Sequence, residues 1–130
     1  MSTVHKLIQT YQIDGVTVDN GTLTITDDEG DKFTDVVGHG VTNHEIFVDF
    51  TLARLKSLWI KSDVAVDLFT NATDGTGGDH IPLAAGVPFT WNIGMVNTPV
   101  PLAHDVTTFY SDNAGSADAN IVIIRCLHNV

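Results

Sequence analysis

Apolar and polar residues alternate with a period of two along much of the chain, and that rhythm constrains the fold more than any other feature. Successive side chains of a strand point to opposite faces, so strict alternation marks a strand with one face buried. Leu23 and Ile25 alternate with Thr22, Thr24 and Thr26; Ile46, Val48, Phe50 and Leu52 share one face opposite Asp49, Thr51 and Phe47. Val64, Val66 and Leu68 alternate with Ala65, Asp67 and Phe69, and Val87, Phe89, Trp91 and Ile93 with Pro88, Thr90 and Asn92. Val106, Thr108 and Tyr110 alternate with Thr107, Phe109 and Ser111. The final run, 120–128, is apolar on both faces, which suits a central or doubly covered strand. Composition agrees: Val, Ile and Thr number 15, 10 and 16, against two Glu and two Gln. Side chains branched at Cβ lose rotamer freedom in helices and pack well on pleated surfaces. An all-helical fold is excluded.

Turn chemistry separates the runs. Asn20-Gly21, between Val16-Val18 and Leu23-Ile25, is the strongest hairpin signal, because both residues tolerate positive φ. Asp27-Asp28-Glu29-Gly30-Asp31 reads as a charged turn, Asn71 to Asp79 as a glycine-rich loop tip, and Asn113 to Asp118 as the link between the last two strands. Pro82, Pro88, Pro99 and Pro101 discourage helix in the third quarter. At most one short helical turn is expected, at 33–38 or 98–104. The spacing predicts an all-β fold: an antiparallel β-sandwich or jelly-roll-like barrel of about eight to nine short strands. At 130 residues the chain is one β domain's worth. Its first 13 residues, where alternation is poor, are either an edge strand or an arm that docks on a neighbour.

With 16 acidic and 6 basic residues the formal charge is −10. Nucleic acids and anionic membranes both reward Lys and Arg, so neither is an expected partner. The single cysteine, Cys126, lies in an apolar run and reads as a buried hydrophobe. The start, Met1 to Lys6, has no basic stretch leading into an apolar core, and no run approaches the ~18 apolar residues of a membrane span. Synthesis in a reducing cytoplasm is the expectation.

The residues that carry chemistry do not assemble into a recognised motif. His39 and His44 lie five apart beside Glu45, with no His-x-His pair to converge on an ion. The acidic turn lacks EF-hand spacing. The Asp74 to Asp79 loop carries aspartates that would repel phosphate. There is no G-x-S-x-G nucleophile elbow. Solvated or locally hydrogen-bonded histidines, no cofactor, no metal and no enzyme activity are therefore expected. Trp91 falls on a core face. Trp59 shares its side with Ser57 and Lys61 and is the better candidate for an exposed contact.

Several segments follow one rhythm, an apolar strand and then a short polar loop: Val64 to Asn71, Ile81-Pro82-Leu83-Ala84-Ala85-Gly86-Val87-Pro88-Phe89-Thr90-Trp91, Asp105 to Ala117, and Ile121 to Leu127. Over about residues 45–128 this resembles the small head-associated decoration proteins of tailed bacteriophages. The resemblance implies a β-sandwich that binds the outer face of an assembled capsid and staples its subunits. The partner would be the major capsid protein and the location the virion surface, and homo-oligomers would form, trimers by preference. Such a protein works through many weak contacts multiplied by symmetry. Candidate contact residues are Leu7, Ile8 and Tyr11 in the N-terminal segment, with Phe47, Trp59 and Phe69. Phe47 and Phe69 stand on otherwise polar faces, suiting either a subunit interface or a two-sided core. The alternative function is a carbohydrate- or receptor-binding module of a tail or fibre.

Overall fold

A computed structural model describes residues 3–27, 29–95 and 97–128. The side chains of residues 3, 5, 7, 11, 18 and 20–30 lie outside the described set. Ten strands are described: β1 (Thr3–Ile13), β2 (Val16–Asp27), β3 (Glu29–Val37), β4 (His44–Ile46), β5 (Leu55–Ser62), β6 (Val66–Thr70), β7 (His80–Leu83), β8 (Phe89–Asn92), β9 (Phe109–Asp112) and β10 (Ala119–Leu127). β1 and β2 form a ribbon of their own. The rest make two four-stranded antiparallel sheets, ordered β3-β10-β5-β8 and β4-β9-β6-β7. Consecutive strands pass from one sheet to the other and back, except β6 and β7, which pair directly. This is the order of a jelly roll, in which a folded-over pair of antiparallel ribbons leaves the last strand beside the first. The all-β sandwich expected from alternation is what forms.

The alternation explains the core. Val66 and Leu68 of β6, Ile81 and Leu83 of β7, Leu58 and Ile60 of β5, and Ile121 and Ile123 of β10 all turn inward and are almost wholly buried. Ile46, Val48 and Phe50 continue the inward face past the short β4, and Phe50 bridges Val106. β10 pairs with β3 on one side and β5 on the other, as a run apolar on both faces should.

Four local expectations need correcting. The ribbon turns at Asp14-Gly15, where φ is 48° and 76°, the pair of positive values a type I′ turn needs. Asn20 and Gly21 instead lie within β2, opposite Thr10 and Gln9. Turning at Asp14 lets eleven residue pairs form, with one irregularity beside Tyr11 and Gln12. A turn at Asn20-Gly21 would leave most of β1 unpaired. Second, most of the acidic segment is strand, since Asp27 belongs to β2 and Glu29, Gly30 and Asp31 to β3, while Asp28 lies outside the described residues. Third, residues 33–37 are strand, drawn into the sheet by pairing with β10. No helix forms at 98–104, and the one helical turn among the described residues lies at Leu52–Arg54. Fourth, in β9 the core face carries Phe109 and Ser111, with Tyr110 outward. Val106 and Thr108 are also buried, so inward parity switches between 108 and 109. β1 joins neither four-stranded sheet and pairs with β2 alone.

Candidate functional site

The outer face of the β4-β9-β6-β7 sheet carries a continuous row of side chains. Register places Glu45, Tyr110, Phe69 and His80 directly across the four strands. The next row runs Asp112, Asp67, Pro82. Phe69 is half-buried, and its ring stacks on His80 with centroids 4.6 Å apart at 8°. A Cβ on Gly75 would touch Phe69 Cδ1 at 3.4 Å, so the glycine loop closes against the same ring. His80 Nε2 lies 2.8 Å from Asp67 Oδ1. The Tyr110 phenol is held above its ordinary pKa by desolvation and by the neighbouring Glu45 charge. Thr108 Oγ1 donates to Glu45 Oε2 at 3.1 Å. Asp67 and Asp112 face each other as direct cross-strand partners, a placement of like charges that costs stability. Each is drawn aside, Asp67 by His80 and Asp112 by the Asn43 amide at 2.7 Å. This face bears three carboxylates and neither Lys nor Arg.

The outer face of the β3-β10-β5-β8 sheet has the opposite character. One row is Lys32, Ile124, Trp59, Thr90, and the next is Thr34, Val122, Lys61. Both lysines are exposed; Trp59, Val122 and Ile124 are half-buried and stand apart from the side chains that pack on the core. Within the four strands no described outward residue is acidic; Asp63, two residues past Lys61, sits at the margin, held by the Asn120 amide and side chain at 2.7 and 2.6 Å. Neither lysine has a carboxylate partner among the described residues.

At one end of the sandwich the sheets open on a cleft of about 460 Å³. Arg125 lies in its wall, 9% exposed, bonding Asp31 at 3.2 Å and Asp49 at 3.5 Å with its guanidinium over the Phe33 ring. Asp105 accepts from the Leu52 amide and Arg54 donates to the His128 carbonyl. These polar groups hold one another across strands, an arrangement that braces the end of the sandwich. His39, His44, His80 and His104 each sit beside an aspartate, at 3.0, 3.0, 2.8 and 3.6 Å. The His44–Asp35 pair spans the two sheets. Among the described residues no three His, Cys, Asp or Glu gather in a way that could hold an ion.

The residues singled out from sequence divide accordingly. Ile8 is 64% exposed on the ribbon, where Val4, Ile13 and Val16 are also exposed. Leu7 and Tyr11 lie on β1, with side chains outside the described set. Phe47 is 78% exposed and Phe69 half-buried on the outer face, so a two-sided core is the wrong reading for both. Trp59 is half-buried on the face opposite theirs. Sequence reasoning missed Tyr110, Glu45, Asp112, Lys32 and Lys61. Parity within each run would have put 67 with 69 and 110 with 112, but which strands lie side by side has no local signal. No protein-family model, curated protein or solved structure matches the chain.

Proposed function

We propose that the chain is a structural protein of a tailed-phage virion, a homo-oligomeric decoration protein that binds the outer capsid surface and stabilises it. The observation that supports this most is the ribbon. Its β1 strand, at about 3.3 Å per residue, is about 35 Å long. It is paired only to β2 and shows Val4, Ile8, Ile13 and Val16 to solvent. A two-stranded hairpin alone in water is marginal. A long one that exposes apolar side chains, attached to a stiff sandwich, gains stability by laying them against another surface. The capsid protein is the partner implied by the resemblance over residues 45–128. The glycan-binding alternative would have to rest on Trp59, half-buried on the outer face of the other sheet, because Phe69 is already flanked by His80 and the Gly75 loop.

The test is co-sedimentation with purified heads of the phage that encodes the chain. The wild type should pellet with heads and raise the temperature at which they release DNA. A variant with Val4→Thr, Ile8→Thr, Ile13→Thr and Val16→Thr keeps β-branching and should lose at least about ten-fold in affinity. A wild type that stays in the supernatant at every concentration overturns the proposal.

A further inference from the structure

We infer that the two outer sheet faces are the two halves of one contact, so that copies of this chain stack head to tail, the lysine-bearing face of one on the carboxylate-bearing face of the next. Three observations carry this. First, the charges are segregated. The chain has only four lysines, and two of them, Lys32 and Lys61, stand on the β3-β10-β5-β8 face without a described partner. The opposite face holds Glu45, Asp67 and Asp112.

Second, the spacings agree. Lys32 and Lys61 are two strands and one row apart, and so are Glu45 and Asp67. Each pair is separated by about 12 Å, from strand spacings of about 4.8 Å and a two-residue rise of about 6.8 Å. Two points at equal spacing can always be superposed, whatever the crossing angle of the sheets. Between the charges each face presents apolar surface, Trp59 with Ile124 and Val122 on one, and Tyr110 with Phe69 on the other. That is the pattern of an apolar centre with a polar rim, anchored by aromatic residues.

Third, Asp67 and Asp112 oppose each other across adjacent strands, and an incoming ammonium relieves that repulsion. A second copy fits better than a basic peptide, because the complementary face is built into the same chain at the matching spacing.

The geometry also sets the form of the assembly. The contact joins different surfaces, so it is heterologous and propagates unless a rotation closes it. The outer faces of a sandwich point in opposite directions, which favours an open stack over a small ring. Each face offers about 20 Å by 20 Å, so a single contact lies at the low end of interface sizes and is weak. Net charge of −10 opposes association at very low salt, and strong screening weakens the pairs at high salt. Stacking should therefore be strongest near ~0.1 M salt.

Sedimentation velocity on the full chain, from micromolar to millimolar, tests this. It needs no capsid, so its outcome is separate from that of head binding. The wild type should show a mean mass that grows with concentration at ~0.1 M salt and shrinks at ~1 M. Lys32→Glu with Lys61→Glu should raise the concentration for association at least about ten-fold, and so should Glu45→Lys with Asp67→Lys. Circular dichroism checks that both fold; Glu45→Gln with Asp67→Asn gives the milder version if the reversal does not. Mixed in equal amounts, the two reversed variants should associate again, each face of one now matching the opposite face of the other. Net charge alone cannot produce that rescue. A wild type whose mass does not grow, growth that survives reversal of either face, or a mixture that stays apart would each overturn the inference.

Discussion

Two fully buried polar side chains of neighbouring elements make opposite predictions. Asn113, at the end of β9, donates from Nδ2 to the Val37 and Ala117 carbonyls at 3.0 and 2.9 Å and accepts from the Gly115 amide at 3.1 Å. It ties the β9–β10 loop to the end of β3. Asn113→Ala leaves two carbonyls and an amide without partners, and should cost about 3 kcal/mol in urea unfolding. Asn113→Asp sets a carboxylate against two carbonyl oxygens and should cost no less. Ser111 is equally buried, but its hydroxyl has no hydrogen-bond partner among the described residues. Ser111→Ala should be neutral or stabilising by up to about 1 kcal/mol. A larger loss at 111 than at 113 would refute this account of the two sites. Acid stability is set by surface aspartates. Asp63 is held below its ordinary 3.8 by hydrogen bonds from Asn120, Asp118 by the His39 amide and ring, and Asp74 by the Thr76 amide and hydroxyl. A carboxylate depressed in the folded state contributes its full stability above the unfolded value and loses it as pH falls through the folded value. Thermal midpoints should therefore drop below about pH 4, and combining Asp63→Asn with Asp118→Asn should flatten that limb.

Between elements, the β6–β7 connection depends on one glycine. A Cβ on Gly78 would run into the Thr70 carbonyl and hydroxyl oxygens. The loop closes there because Asp79 donates to Thr70 Oγ1 and Thr70 donates its amide to the Asp79 carbonyl. Gly78→Ala should cost several kcal/mol, whereas Gly77→Ala, where a Cβ meets nothing but φ is 70°, should cost only about 1 kcal/mol. Equal costs would show that the loop yields freely. The runs at 46–50 and 66–68 were legible because each has one inward face, and burial follows parity with no outside information; 121–127, apolar on both faces, was legible as a central strand and lies between β3 and β5. β3 was not legible. Its inward residues include Asp31 and Asp35, which enter the sandwich only because Arg125 and His44 arrive from distant strands to bond them. The ribbon turn was misplaced because Asp14-Gly15 and Asn20-Gly21 carry the same local signal, and the winner is decided by how many pairs the flanks can form. The aromatic-acidic row was invisible for a related reason: Glu45, Tyr110, Phe69 and His80 meet through strand order, which no local pattern encodes.

Over the whole molecule, charge and shape pull against each other. A sandwich of this size is about 30 Å across, comparable to the Debye length of about 30 Å at 0.01 M salt and well above the 8 Å found at 0.15 M. At low salt every carboxylate therefore feels the full excess of 16 acids over 6 bases, and self-repulsion opposes the compact state more than the expanded one. Local pairs work the other way, since salt weakens them; among the described residues Arg125 with Asp31 and Asp49 is the main one, its guanidinium shielded but both carboxylates open to solvent. Long-range repulsion should dominate. In dilute protein, below the range of stacking, the thermal midpoint at neutral pH should rise by several degrees between ~0.01 M and ~0.15 M sodium chloride, with little further gain beyond. The Lys32→Glu, Lys61→Glu variant, four charges more negative, should start lower and rise further. A midpoint that falls with added salt would mean that exposed histidine–aspartate contacts and other local pairs outweigh the net charge. The segregation of Lys32 and Lys61 from Glu45, Asp67 and Asp112 would then contribute to the fold of the single chain more than to its contacts with copies.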